Sequence, residues 1–293
     1  MSLDRIFNAI ESNKCLAFLG AGASMGYPQG QGFVDGLPSG AVLAERLAQK
    51  CGYVNGKALG LAEVAEYFIF KQNGHRDLLE KFLQNEFSRI TQPRPIHTAI
   101  AQLQQIKIIL TSNYDLLLEK ELIERQRIIT KSVYNRTDTR NAHFMGPVDF
   151  DANDVVLHKM HGSIDQPNSM VITRSDYVRY LATLIHPDVG MPEYFWKMMI
   201  PQRTLLFLGY SLADWNFQVI WEGVLAALKT AGRAPSSYAI VKEADDFQKA
   251  YWMQRNIQLI TCDLTEFAVA LAGRFNLAIS QLGITKQSPG GQP

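Results

Sequence analysis

The sequence predicts an α/β fold: a Rossmann-like parallel sheet with helices on both faces and an inserted helical subdomain. Three observations predict it. Apolar runs of five or six residues alternate with stretches of helical periodicity along the 293 residues. The runs are apolar at nearly every position, as strands covered on both faces are. Several of them end in small or polar clusters, and in a parallel sheet such ends share one rim, where the ligands of open α/β sheets bind.

Residues 3–13 have the spacing of a short helix and residues 14–19 that of the first strand, which runs straight into Gly20-Ala21-Gly22-Ala23-Ser24. Gly20 and Gly22 tolerate left-handed backbone and carry no Cβ to hold a pyrophosphate off the amides. The third glycine of the dinucleotide fingerprint is missing, and Ala23-Ser24-Met25 stands in its place. Residues 20–40, with glycines at 26, 30, 32, 36 and 40, read as a long loop of the functional or mobile kind. Ser39 is placed to cap a helix whose Val42, Leu43 and Leu47 share a face.

Helical spacing continues through 61–72 and 77–87 and resumes at 95–103 after a proline break. Helices with no strand between them predict the inserted subdomain, at about 41–104. A strand at 106–110 ends in Thr111-Ser112-Asn113-Tyr114-Asp115, and a helix restarts at 116–123. Further strands are expected at 128–133 and 155–160, the second ending in His161-Gly162-Ser163, with a polar surface excursion at 134–154 between them and an edge strand at 169–173. Helices at 176–184 and 191–200 precede a strand at 204–208, which terminates in Gly209-Tyr210-Ser211, and a helix at 214–228. Strands at 237–241 and 257–261, the second followed by Asp263, and helices at 245–255 and 264–281 complete the alternation. Residues 1–286 are read as one domain and 287–293, with Pro289-Gly290-Gly291, as a disordered tail.

Composition narrows the class. The chain is 47% hydrophobic, and 29 Lys+Arg against 28 Asp+Glu leave a net charge of +1. That balance lacks the basic footprint of a nucleic-acid binder or a polybasic membrane protein. No apolar run approaches the roughly 20 residues of a spanning helix, and the first residues lack a signal-peptide layout. Cys15, Cys51 and Cys262 form no Cys-x-x-Cys pair, which argues against a disulfide framework or a cysteine zinc site and for a cytoplasmic protein.

Taken in order, the strand-end clusters resemble the sirtuin-like superfamily over about residues 14–263. Gly20-Ala21-Gly22-Ala23-Ser24 resembles its Gly-Ala-Gly-x-Ser loop, Thr111-Ser112-Asn113-Tyr114-Asp115 its Thr-x-Asn-x-Asp segment, His161-Gly162 its His-Gly pair, and Gly209-Tyr210-Ser211 its Gly-x-Ser segment. Leu37-Pro38-Ser39-Gly40, the run from Thr111 to Glu119 and Gly209-Tyr210-Ser211-Leu212-Ala213-Asp214 are most similar to the bacterial branch associated with antiviral defence. The resemblance implies cleavage of the N-glycosidic bond of NAD, the substrate, to nicotinamide and ADP-ribose, without a metal. It also implies an activity held off until triggered, self-assembly into a homo-oligomer, or a separate partner such as a hexameric DNA-translocating ATPase or another sensor protein. Two features of sirtuin deacylases are missing: the zinc ribbon, and the Gly-Ile-Pro-Asp-Phe-Arg type stretch, replaced here by Met25-Gly26-Tyr27-Pro28-Gln29-Gly30. Hydrolysis is therefore favoured over deacylation. A non-catalytic NAD or ADP-ribose sensor and a zinc-free deacylase are the alternatives.

On this resemblance Asn113 and His161 are the catalytic candidates. Asn113 hydrogen-bonds a ribose hydroxyl or a water, or else caps the helix that follows. His161 acts as general base, its ordinary pKa suiting that role. His158 is read as structural, since a strand sets i and i+3 on opposite faces and leaves no metal pair with His161. Gly20, Ala21, Gly22, Ser24, Ser39, Asp115, Gly209, Ser211 and Asp263 are the candidate NAD-binding residues. Asp115 touches the nicotinamide amide, buttresses Asn113, or favours the first turn of the next helix. Ser24 and Ser211 offer hydroxyls to phosphate or ribose, or cap helices. Asp263 meets the adenine end, Asp214 is a cap or a buried partner, and Tyr194-Phe195-Trp196 packs. The glycine-rich run 26–40 becomes a lid over nicotinamide.

Overall fold

Strand β1 (Cys15–Leu19) is buried along its whole length and pairs on both sides with parallel neighbours. The computed structural model describes residues 2–29, 32–53, 60–90, 92–137, 154–185, 204–212, 217–218, 221–222 and 236–278. Besides β1, the strands are β2 (Tyr27–Gln29), β3 (Gly32–Val34), β4 (Ile108–Thr111), β5 (Ile128–Val133), β6 (Asp154–Lys159), β7 (Thr204–Leu208), β8 (Ser237–Val241) and β9 (Ile257–Thr261). Seven of them form one parallel sheet in the order β5-β6-β4-β1-β7-β8-β9. The order reverses at β1, the kind of switch point where open sheets leave a crevice.

Alternation along β1 sends Leu16 and Phe18 to one face and Cys15, Ala17 and Leu19 to the other. On the first face Phe18 stacks on Phe207 of β7 with ring centroids 4.6 Å apart, and helix α7 (Arg174–Ile185) covers them with Tyr177, Tyr180 and Leu184. On the second face helices α1 (Ser2–Glu11), α5 (Pro95–Gln102) and α9 (Leu264–Phe275) contribute Ile6, Ile96, Ile100, Phe267 and Leu271. Helices α6 (Leu117–Glu124) and α8 (Asp246–Met253) follow β4 and β8.

Helices α2 (Gly40–Cys51), α3 (Leu61–Lys71) and α4 (Arg76–Phe87) share a separate core of Leu43, Leu47, Val64, Phe68, Leu79 and Leu83, closed by Met170 and Ile172. Ser39 caps α2, its Oγ accepting from Val42 N at 3.3 Å. The helical stretch expected at 41–104 thus divides. Helix α5 packs on the sheet because it is buried on every side from Pro95 to Ala101.

Two expectations are corrected. Residues 169–173 form no edge strand: a 3-10 turn spans Pro167–Ser169, and Met170 and Ile172 turn into the α2–α4 core while Val171 N bonds to His161 O. Residues 20–40 are not a structureless loop, since they carry a 3-10 turn (Ala21–Ser24) and the antiparallel hairpin β2–β3. The helix expected at 191–200 with Tyr194-Phe195-Trp196, residues 138–153 of the polar excursion, Asp214 and the tail at 287–293 lie outside the described residues. No helix among the described residues is long and apolar enough to cross a membrane.

Candidate active site

The carboxyl ends of the sheet strands open on one cleft of about 1720 Å³. That is larger than the ~300–1,000 Å³ of common small-molecule pockets, so an extended ligand fits. Ala21, Gly22, Ser24, Ser39, Asn113, Asp115, His161, Gly209, Ser211 and Asp263 all line it. Gly20 is buried beneath it rather than on its wall.

The glycines of the β1 turn serve a purpose that differs from the expected one. The left-handed residue is Gly209, with φ +75°; Gly20 has φ −108°. The turns after β1 and β7 press backbone on backbone. Gly22 N donates to Gly209 O at 2.8 Å and Gly20 N to Leu208 O at 2.9 Å. A Cβ on Gly20 or Gly22 would stand 2.8 or 2.9 Å from Gly209 O. The missing side chains therefore let two loops approach, and the amides of Gly20 and Gly22 are already paired within the protein.

Asn113 does not cap the following helix. Its Nδ2 donates back to Gly20 O at 3.0 Å and to Ser24 Oγ at 3.2 Å, leaving its buried Oδ1 without a partner. Asp115 does the capping, with Oδ1 accepting from Leu117 N at 3.0 Å, while its Oδ2 accepts from Ser24 Oγ at 2.9 Å. One strand-end loop is thus braced against the next through side chains.

His161 follows β6 in a turn that Gly162 makes possible, with φ +86° and a Cα so close to Ser169 that a Cβ would lie 2.4 Å from its carbonyl. The imidazole is 2% exposed and sits edge-on to the rings of Tyr177 and Tyr180, at 5.4 and 4.8 Å. Its Nε2 is buried without a hydrogen-bond partner. Burial pushes its pKa down to about 3, so the ring is neutral at physiological pH: a ready acceptor, but a weaker base than an ordinary histidine. His158 is likewise buried, its Nδ1 3.0 Å from Ser132 Oγ.

At the far end of the cleft Asp263 caps α9 through Thr265 N at 2.7 Å, and Ser211 is exposed. Two residues were not legible as site residues. Arg94, at the start of α5, lines the cleft with its guanidinium 5.8 Å from the Tyr27 ring centroid. Lys159 is fully buried below the cleft, its Nζ donating to Asp115 O and, at 3.0 Å, to Glu119 Oε1. Their signal is a single cation in an otherwise apolar stretch (Arg94 before Pro-Ile-His-Thr-Ala-Ile-Ala, Lys159 closing Val-Val-Leu-His), a position where a charge must find a partner. Among the described residues no group of three or more His, Cys, Asp or Glu is placed to hold a metal ion.

An open parallel sheet with its cleft along the carboxyl edge and a tight glycine turn after the central strand defines a Rossmann-like α/β protein. The family comparison is specific: the model of the SIR2-like domain matches residues 107–260, and the chain belongs to that family. It is 28% identical over 271 residues to the NAD(+) hydrolase ThsA of Bacillus cereus, covering 89% of this chain and 50% of the relative. It is 30% identical over 228 residues to the NAD(+) hydrolase ThsA of Enterococcus faecium, covering 78% of this chain and 43% of the relative. The chain thus spans about half the length of the curated relatives it matches. Among solved structures, a Sir2 homologue mutant in complex with ADP-ribose aligns over 96% of this chain and 98% of its own, with 12% identity and a TM-score of 0.46.

Proposed function

We propose that this chain is an NAD hydrolase that releases nicotinamide and ADP-ribose, and that it acts in the cytoplasm in regulated antiviral defence. The carrying observation is the pair of buried, unpartnered polar atoms lining the cleft, Asn113 Oδ1 and His161 Nε2. Buried polar atoms without partners are rare, and a ligand's hydroxyls, which both donate and accept, would satisfy both. In this reading the ribose beside nicotinamide donates to Asn113 Oδ1 and His161 Nε2. The C–N bond to the pyridinium breaks, its electron pair neutralises the ring, and a water oxygen bonds to the anomeric carbon. The water's proton passes to solvent, and His161 serves by holding the ribose. Positioning and the fixed acceptors supply the rate, and no metal enters the step. Support for the substrate comes from the relatives named NAD(+) hydrolase and from the family assignment. Ala21, Gly22, Ser24, Ser39, Asp115, Gly209, Ser211 and Asp263 line the cleft and would hold the dinucleotide, with Gly20 supporting the turn from beneath. The trigger is assigned to self-assembly or a separate sensor partner, because unrestrained NAD loss is toxic.

The burial of His161 favours one second reading, a module that binds NAD or ADP-ribose without cleaving it. Nicotinamide release by the purified chain, alone and with the product of the adjacent gene, separates the two. Hydrolysis requires release that Asn113→Ala and His161→Ala abolish. NAD binding with no release under either condition, or full activity in both variants, would overturn it.

A further inference from the structure

The geometry points to Arg94 as the anion-binding residue of the cleft, where its guanidinium takes the phosphate oxygens of a nucleotide diphosphate. This rests on the dinucleotide reading above and adds to it a residue outside the glycine turn. Among the described residues three cations line the cleft, Arg94, Arg174 and Lys242. Arg174 and Lys242 are exposed, whereas Arg94 is 3% exposed. Its Nε is buried with no partner, and its guanidinium makes no hydrogen bond or ion pair among the described residues. A buried guanidinium is normally paired, and Arg is suited to fork-like contact with phosphate.

The surroundings direct that charge at the cleft. Arg94 stands at the N-terminus of α5, with Tyr27 of the β2–β3 hairpin beside it. The carboxylates that act on it are Asp115, tied to Ser24 at the end of the glycine turn, and Asp35. Both act at a distance, and neither forms an ion pair with it. The amides of Gly20 and Gly22 are bonded to the β7 end, so these two are not available to a diphosphate. In the proposed substrate the diphosphate is the one anionic group. It sits between ribose and adenosine, consistent with an arginine at the Ser24 end of the turn.

The test is calorimetric titration of the chain with ADP-ribose and, separately, with adenosine, for the wild type, Arg94→Met and Arg94→Lys. Loss of a charge-assisted contact weakens ADP-ribose binding roughly tenfold to a hundredfold in Arg94→Met. Arg94→Lys falls between, and adenosine, which lacks phosphate, binds the three proteins alike. Added salt weakens ADP-ribose binding to the wild type more than to Arg94→Met, a dependence that a purely structural role would not produce. The proposal falls if Arg94→Met binds ADP-ribose within twofold of the wild type, if adenosine loses as much as ADP-ribose, or if the wild type binds no ADP-ribose. Arg94-dependent binding without nicotinamide release would leave this inference standing and remove hydrolysis. NAD consumption with binding indifferent to Arg94 would do the reverse.

Discussion

Ser24 Oγ donates to Asp115 Oδ2 at 2.9 Å and accepts from Asn113 Nδ2 at 3.2 Å. One hydroxyl therefore joins the turn after β1 to the loop after β4 and, together with Gly20 O, fixes which atom of the Asn113 amide faces the cleft. Ser24→Ala leaves the Asp115 carboxylate with only its bond to Leu117 N and the Asn113 amide held by Gly20 O alone. The expected loss of stability is about 1–2 kcal/mol. Because the two side chains touch, a double-mutant cycle with Asp115→Asn should give a coupling of roughly 0.5–3 kcal/mol. Denaturant unfolding of the four proteins measures it, and additive effects would mean the contact contributes nothing.

The space around two glycines predicts opposite signs for their substitution. At Gly209 a Cβ would lie 2.3 Å from Ala23 N, on a left-handed backbone. Gly209→Ala should destabilise by about 2–4 kcal/mol through strain and displaced backbone, and should weaken ADP-ribose binding. At Gly273, inside α9, a Cβ meets nothing within 4 Å. Gly273→Ala should stabilise by roughly 0.5–1 kcal/mol through helix propensity alone. Melting temperatures of the two variants check the contrast, and equal shifts would refute it.

The sheet was readable from the sequence because its strands are buried on both faces, so runs such as Leu16-Ala17-Phe18-Leu19 stay apolar without alternation. The strand-end clusters were readable for the same reason, as abrupt breaks in those runs. What failed was local structure set by tertiary contact. Met170-Val171-Ile172 looks like a strand, yet its two outer side chains fill the α2–α4 core and it joins no sheet. Helix α5 looked like part of the insertion because nothing in its apolar sequence says which layer covers it. Arg94 and Lys159 were overlooked as site residues because a buried cation is defined by partners distant in the chain.

Three buried histidines among the described residues give the protein an acid limit. Burial holds the pKa of His97 and His158 at about 4 and that of His161 at about 3, against 6.5 for the free side chain. Between those values the unfolded chain binds protons that the native chain excludes. Their contribution is therefore fully present above pH 6.5 and is lost as pH falls toward 4. Three such groups give a slope of roughly 4 kcal/mol per pH unit in that window. Denaturant midpoints at pH 7, 6 and 5 should fall accordingly, with a shallower fall for His158→Gln. A midpoint that does not move between pH 7 and 5 would contradict the burial argument.

Lys159 links the two candidate catalytic loops. It closes β6 two residues before His161, and its Nζ reaches the carbonyl of Asp115, two residues after Asn113. Its carboxylate partner Glu119, at 3.0 Å, also meets Lys131 at 3.2 Å, which meets Asp165 at 2.9 Å. Lys159→Met keeps the apolar stem and removes the charge, stranding the Asp115 carbonyl and leaving Glu119 to the more exposed Lys131. Removing one partner of a buried pair costs about 3–5 kcal/mol, and the second lysine should bring this nearer 2–4. Adding Glu119→Met removes the stranded carboxylate, so the double variant should be more stable than Lys159→Met alone. If Lys159 also sets the spacing of the loops, the double variant recovers stability without recovering ADP-ribose affinity, because the Asp115 carbonyl still lacks its donor. Unfolding and binding measured on the same three proteins separate the two effects. Parallel recovery of both would make the lysine a charge partner of Glu119 and nothing more.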